Sequence, residues 1–352
     1  MLPDAAAGFR RWRLTFEAAR QRRPSALTSM WYRIAGHSVQ VRIAGGRLAA
    51  VIAEGWRHLE PRPPAPPAST ERPLHVDLWD AGETAVAATT SPVAIDPAER
   101  FPFRVSADCR FVAHAWPRVL SWLDRGGDHV VGCVEDAAEL TPQARGRLVE
   151  PLLLVWLRDR SAQLVHAGLV ARGPEGLLLL GRSGAGKSTA ALACALAGFA
   201  FLGDDKVALS PGPEGAWEGH SLTGVAYLEP GQLARFPDLA PWRLEGSTGD
   251  GKALLPLGRV PAVRLVAGAH VRALAIVRIG EPCAGGPRPA SRRDALLAAG
   301  LSTVLHLPID QARALPALGD LVRRLPAYWL DLGPDPADIP RRAGAILDAA
   351  DG

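Results

Sequence analysis

Lysine is nearly missing from this sequence. The chain has 352 residues and 40 basic ones, yet lysine occurs only at Lys187, Lys206 and Lys252, and every other basic residue is arginine. A composition rich in Ala, Gly, Pro and Arg reads as GC-biased codon usage, which favours arginine wherever a plain positive charge suffices. Each lysine therefore asks for its own explanation. Cysteine is scarce too. Cys109, Cys133, Cys194 and Cys283 form no CxxC pair and have no histidine at zinc-site spacing, which excludes a zinc ribbon and points to reduced, mostly buried thiols of a cytoplasmic protein. No run of roughly 18 apolar residues occurs, so no membrane-spanning helix is expected. The N-terminal arginines have no apolar stretch beside them and do not read as a secretory signal. A net charge of +4 over this length is too small for a nucleic-acid footprint.

What is present divides the chain into three parts: a basic tail over 1–28, a β-rich domain over 29–140 and a second domain over 141–352. In the β-rich part, 31–34, 38–43 and 47–52 read as strands punctuated by Gly36 and the pair Gly45-Gly46. The proline-dense stretch 61–70 reads as a loop or stiff linker. Strands are predicted over 74–79 and 129–134, two more over 103–112, and a short helix over 117–124. Thr141-Pro142 supplies a helix start, N-cap and N1, for a helix running to about Arg160. Residues 164–170 and 177–180 read as strands of a hairpin, 187–197 as an alanine-rich helix ended by Gly198, and 199–202 as a strand. Beyond Ser210 the signals weaken. Strands over 273–278 and 328–332 and helices over 292–299, 311–324 and 340–350 remain legible.

The chemistry begins at Gly181-Arg182-Ser183-Gly184-Ala185-Gly186-Lys187-Ser188, which matches the P-loop pattern G-x-x-x-x-G-K-[ST]. Gly181, Gly184 and Gly186 let the backbone curl so that N–H groups, with those of Ser183, Ala185 and Thr189, point at phosphate oxygens. The following helix presents its N-terminus to the same anion. Lys187 reaches the phosphates and the Ser188 hydroxyl ligates Mg²⁺. An apolar strand before the loop and a helix after it supply the required context. A second element, Asp204-Asp205-Lys206, closes the strand 199–202. Adjacent carboxylates there suit Mg²⁺ ligation by one and activation of a hydroxyl by the other. A third is His166, which by spacing alone reads as a core residue.

Together, His166-Ala167-Gly168, the loop 181–188 and Asp204-Asp205 resemble the HPr kinase/phosphorylase family, and most closely its divergent serine kinases, which include lasso-peptide precursor kinases. Lys187 lies 21 positions after His166 and 18 before Asp205, intervals similar to the family's. The resemblance covers about residues 160–210. It implies an α/β fold with a phosphoenolpyruvate-carboxykinase-like P-loop core behind the β-rich N-terminal domain. It implies ATP and Mg²⁺, with Asp205 as general base, His166 beside it, Lys187 on phosphate, and Ser188 and Asp204 on metal. Thr189 stands where the family commonly has Glu. The later Glu-x-Arg-Gly segment is not legible, so Glu229 is a candidate metal ligand by distance along the chain, with Arg235, Arg264 and Arg278 as candidates for the arginine. A phosphorolysis signature is not recognisable, which favours a one-way kinase. Lys206 adjoins the carboxylates, and Lys252 follows Gly249-Asp250-Gly251 in a loop from which an ammonium reaches phosphate.

The leading expectation is an ATP- and Mg²⁺-dependent kinase acting on a serine hydroxyl of a peptide or small protein, without nucleic-acid or membrane partners. A kinase of a small hydroxylated metabolite would show the same motifs. A non-catalytic nucleotide-binding regulator would not need a base, and a GTPase is disfavoured because no N/T-K-x-D motif occurs. The family forms hexamers through surfaces outside the motif, so a homo-oligomer stays open.

Overall fold

A computed structural model describes residues 2, 4–60, 72–88, 102–244, 251–280, 286–306 and 314–351. The proline-rich stretch 61–70, Cys283, Gly249 and Asp250 lie outside them. The architecture is mixed α/β, and the chain divides into two units, Met1–Leu157 and Arg158–Gly352. The division falls near the end of the helix expected from Thr141.

In the first unit, α1 (Ala5–Arg22) buries Phe9, Trp12, Phe16 and Ala19 along one face and leaves Arg10, Arg11, Arg13 and Arg22 outside. The expected basic tail is therefore an amphipathic helix. Each buried aromatic is worth roughly 1.5–3 kcal/mol against exposure, so the apolar stripe anchors the helix while the arginines keep their water. Strands β1 (Leu27–Ile34) and β2 (His37–Ala44) form an antiparallel hairpin through Ala35 and Gly36, both at positive φ. The next segment departs from expectation. Residues 47–52 belong to helix α2 (Gly46–Trp56), which buries Leu48, Ala49, Val51, Ile52 and Trp56. The reason is topological: β3 (Leu74–Asp80) runs parallel to β2, and a parallel pair needs a crossover, usually helical. After α3 (Ala81–Thr84) come β4 (Phe103–Val105), β5 (Phe111–Trp116), β6 (Val119–Asp124) and β7 (His129–Val134). The helix expected over 117–124 is thus strand β6, paired antiparallel with β5 around Arg118 at φ 64°. Among the described residues these strands form one sheet in the order β1-β2-β3-β7-β6-β5-β4. Helices α4 (Pro142–Arg147) and α5 (Glu150–Arg158) replace the single helix expected there, and Thr141 caps α4 by accepting from the Ala144 N–H.

The second unit holds the motifs. Its elements are β8 (Gln163–Val165), β9 (Gly168–Arg172), β10 (Glu175–Leu180), α6 (Lys187–Leu196), β11 (Ala200–Gly203), β12 (Val207–Pro211), β13 (Trp217–His220), β14 (Val225–Leu228), α7 (Pro230–Leu233), β15 (Ala253–Pro256), β16 (Arg264–Leu265), β17 (Gly268–Ile279), β18 (Arg288–Pro289), α8 (Arg292–His306), α9 (Ala314–Arg324), β19 (Ala327–Leu332) and α10 (Ile339–Ala350). The main sheet runs β16-β11-β9-β10-β17-β13-β12-β8, with β19 also on β17 and β18 on β19, while β14 and β15 pair separately. The four leucines of β10 explain its central place. Leu177 and Leu179 face a core shared with α6 and α10. Leu178 and Leu180 face the core beneath α8 and α9. A strand covered on both faces reads as a continuous apolar run.

Candidate active site

Strand directions bring the separate motifs to one edge of the second sheet. β9 and β10 are the expected antiparallel hairpin, with Gly168 opposite Leu179. β11 is antiparallel to β9, with Gly203 opposite Leu169, and so points the same way as β10. The carboxyl end of β10, where the glycine loop starts, therefore shares an edge with the carboxyl end of β11, where Asp204-Asp205 starts. The amino end of β9 lies there too, with His166 two residues before it. Parallel β17 and β19 end at the same edge.

His166 does not lie inside a strand, as expected, but in a break. β8 pairs with β12, Val165 opposite Val207, whereas β9 pairs with β10 and β11. The chain changes partners at His166-Ala167, and this frees the imidazole from the alternation of a strand. The His166 N–H donates to Thr303 Oγ1 at 3.1 Å. Thr303 is fully buried on α8, a position no local pattern marks.

The glycine loop has two positions that only glycine fits. A Cβ on Gly181 would lie 3.0 Å from the Val277 carbonyl oxygen, and one on Gly186 would lie 2.3 Å from Leu332 Cδ1. Gly186 also has φ 99°, in the left-handed region. Gly186→Ala is expected to cost about 2 kcal/mol in denaturant unfolding, from strain and overpacking together. Wild-type stability in that variant would mean the loop is not held against β19.

The loop ends in a helix whose amino end carries no counter-charge of its own. Gly186 caps α6 without a side-chain hydrogen bond, and its first turn has no acidic residue. α4 differs in having a side-chain cap, Thr141. The first N–H groups of such a helix and its dipole attract an anion. Ser188 lies in this first turn. Lys187 is 5% exposed, and its ammonium donates to the Gly181 and Arg182 carbonyls at 2.8 and 3.2 Å. Burial pushes its pKa down, Asp205 and Asp204 oppose this, and the Lys252 charge adds to the lowering. Within the loop, Ser183 and Gly184 are exposed, and the Ala185 N–H donates to the Arg182 carbonyl. Thr189, whose N–H is expected to face phosphate, donates its buried hydroxyl to Gln232 Oε1 at 3.0 Å and ties α6 to α7.

Adjacent in sequence, the two aspartates have different surroundings. Asp204 is 3% exposed, and its Oδ2 accepts the Tyr227 N–H at 3.1 Å, which fixes it to β14. Asp205 is the accessible one. Its Oδ1 is 3.3 Å from His166 Nε2 and its Oδ2 is 4.0 Å from Lys206 Nζ. Burial lowers the His166 pKa while Asp205 works to raise it. An imidazole next to an accessible carboxylate orients that carboxylate without saturating it. Glu229 is more than half exposed at the start of α7, 3.9 Å from Lys252 Nζ. Of the candidate arginines, Arg278 lies at the shared edge, opposite Asp331 in the ladder, hydrogen-bonded to that carboxylate and stacked over Trp329. Arg235 donates to the Pro334 carbonyl, and Arg264 is exposed on β16.

The described residues contain no group of three or more His, Cys, Asp or Glu side chains able to hold a metal ion. Mg²⁺ does not require one, because it is usually held by one or two carboxylates together with substrate phosphates and water. Ser188 and Asp204 offer hard-oxygen donors of that kind at the shared edge. No helix among the described residues is long and apolar enough to cross a membrane. No family model and no curated protein matches the chain. Among solved structures, the HPr(Ser) kinase/phosphatase from Coxiella burnetii aligns with 14% identity over 53% of this chain and 95% of that one, at a TM-score of 0.29.

Proposed function

We propose that this chain is an ATP- and Mg²⁺-dependent kinase that phosphorylates a serine hydroxyl of a peptide or small protein, through a P-loop of the HPr-kinase type. One observation carries the reading. The accessible carboxylate of Asp205, oriented by His166 at 3.3 Å, shares a sheet edge with Lys187 and the start of α6, which has no side-chain cap. Anion binding alone explains the loop and the lysine, but it gives no use to an oriented base.

In this reading the loop N–H groups and Lys187 hold the phosphates, and Asp205 accepts the proton of the acceptor hydroxyl as its oxygen bonds to the γ-phosphorus, the bond from that phosphorus to the bridging oxygen breaks, and ADP leaves. His166 keeps Asp205 aimed. Bound Mg²⁺ supplies charge neutralisation of the phosphates, with Ser188 and Asp204 as its protein donors. Asp204 suits a fixed ligand because Tyr227 already orients it.

The test is incubation of the full chain with γ-labelled ATP, Mg²⁺ and candidate peptides from neighbouring genes. Label on a peptide serine is the expected result. Label found only on small molecules would overturn the peptide assignment, and nucleotide binding without transfer to any acceptor would overturn the kinase.

A further inference from the structure

We infer that Lys252 is a second phosphate-holding ammonium of this site and that Glu229 is its counter-ion rather than a metal ligand; this rests on the nucleotide reading above. The backbone makes the pair. In the β14–β15 ladder Leu228 lies opposite Ala253, so the next positions outward, Glu229 and Lys252, face each other. The Leu244 N–H donates to the Leu254 carbonyl, two residues beyond Lys252. Gly251, at φ 83°, turns the chain into β15.

The pair is also anchored beside the phosphate loop. Glu229 starts α7, Gln232 of α7 accepts from Thr189, and Thr189 lies two residues after Lys187 on α6. Lys252 is close enough that its charge acts on Lys187. Two positive charges that act on each other carry a repulsion that a bound anion between them removes.

The contact with Glu229 has the character of an exchangeable partner. At 3.9 Å, with Lys252 31% and Glu229 58% exposed, it lies beyond hydrogen-bond length. Such exposed pairs contribute little to folding. A phosphate oxygen is the stronger partner for the same ammonium, since charge-assisted bonds of this kind are short and strong. Glu229 then holds Lys252 near the site before nucleotide arrives. Paired in this way, and on the exposed start of α7, Glu229 is poorly placed to serve as a dedicated metal ligand.

The experiment is titration of the full-length protein with a fluorescent ATP analogue, with Mg²⁺ and with EDTA. Lys252→Met should weaken binding about tenfold in both conditions, the loss of one charge-assisted contact, with an unchanged melting temperature. Lys252→Arg should restore binding to within about threefold, because the charge is kept. Glu229→Gln should leave the Mg²⁺ requirement unchanged. Wild-type affinity in Lys252→Met, where Lys187→Met has lost it, overturns this inference and leaves the nucleotide reading standing. A tenfold rise in the Mg²⁺ requirement of Glu229→Gln restores Glu229 as a ligand and overturns it as well. A wild-type protein that binds no nucleotide overturns both.

Discussion

Asp205→Asn should lose about a thousandfold in phosphoryl transfer, the middle of the range for removal of a general base, and keep its nucleotide affinity. Asparagine has the same shape and can still meet His166, but it cannot take a proton from the acceptor hydroxyl. Removing a negative charge from beside the phosphates cannot weaken nucleotide binding electrostatically, so affinity should be unchanged or higher. The neighbour provides the contrast. Asp204 is buried on the Tyr227 N–H, so Asp204→Asn should also lower stability, whereas Asp205→Asn should not. Single-turnover transfer of label and a nucleotide titration measure the two quantities separately. Full turnover by Asp205→Asn would remove the base from the mechanism.

Lys187→Met should abolish nucleotide binding without destabilising the fold. In the free protein the ammonium is 5% exposed and bonded to two loop carbonyls. Burying it costs desolvation, which is what pushes its pKa down. A methionine of similar length removes that cost but leaves the two carbonyls without this donor, and the two effects offset, so unfolding free energy should change little. Nucleotide affinity should fall about a hundredfold or more, since bonds from a charged donor are worth ~1.5–3 kcal/mol each. The separation of the two results is diagnostic. A residue kept for stability would lose both together, and a Lys187→Met protein that bound nucleotide normally would defeat the phosphate assignment.

Much of the second unit was legible because its signals are local. The leucine run of β10, the glycines of the loop and the alanines of α6 follow one another in sequence, and each acts through its own backbone geometry or immediate burial. The hairpin 168–180 is legible for the same reason. The first unit was read less well. Residues 47–52 and 117–124 were assigned the wrong element because short apolar segments carry no period that separates helix from strand. The partner strands decided instead: the parallel crossover to β3 makes one a helix, and pairing with β5 makes the other a strand. The N-terminal arginines concealed Phe9, Trp12 and Phe16, whose spacing reports a buried face only once a sheet is there to cover it.

By itself the sequence determined the strand, loop and helix that carry Lys187 and Ser188, and the proximity of Asp204 and Asp205 to each other. The tertiary structure alone decided that Asp204 is fixed on Tyr227, while the meeting of Asp205 with His166 was implied only by the family resemblance. It also decided that Thr303 holds the His166 backbone, and that Glu229 meets Lys252. These relations run through ladders between strands far apart along the chain, and no local pattern encodes which ladder forms. The same ladders gather the rare lysines. Lys206 lies at 4.0 Å from Asp205, and Lys252 is near enough to act on Lys187. Lys187 and Lys206 follow β10 and β11 at one edge of the main sheet, and Lys252 comes near from the separate β14–β15 pair.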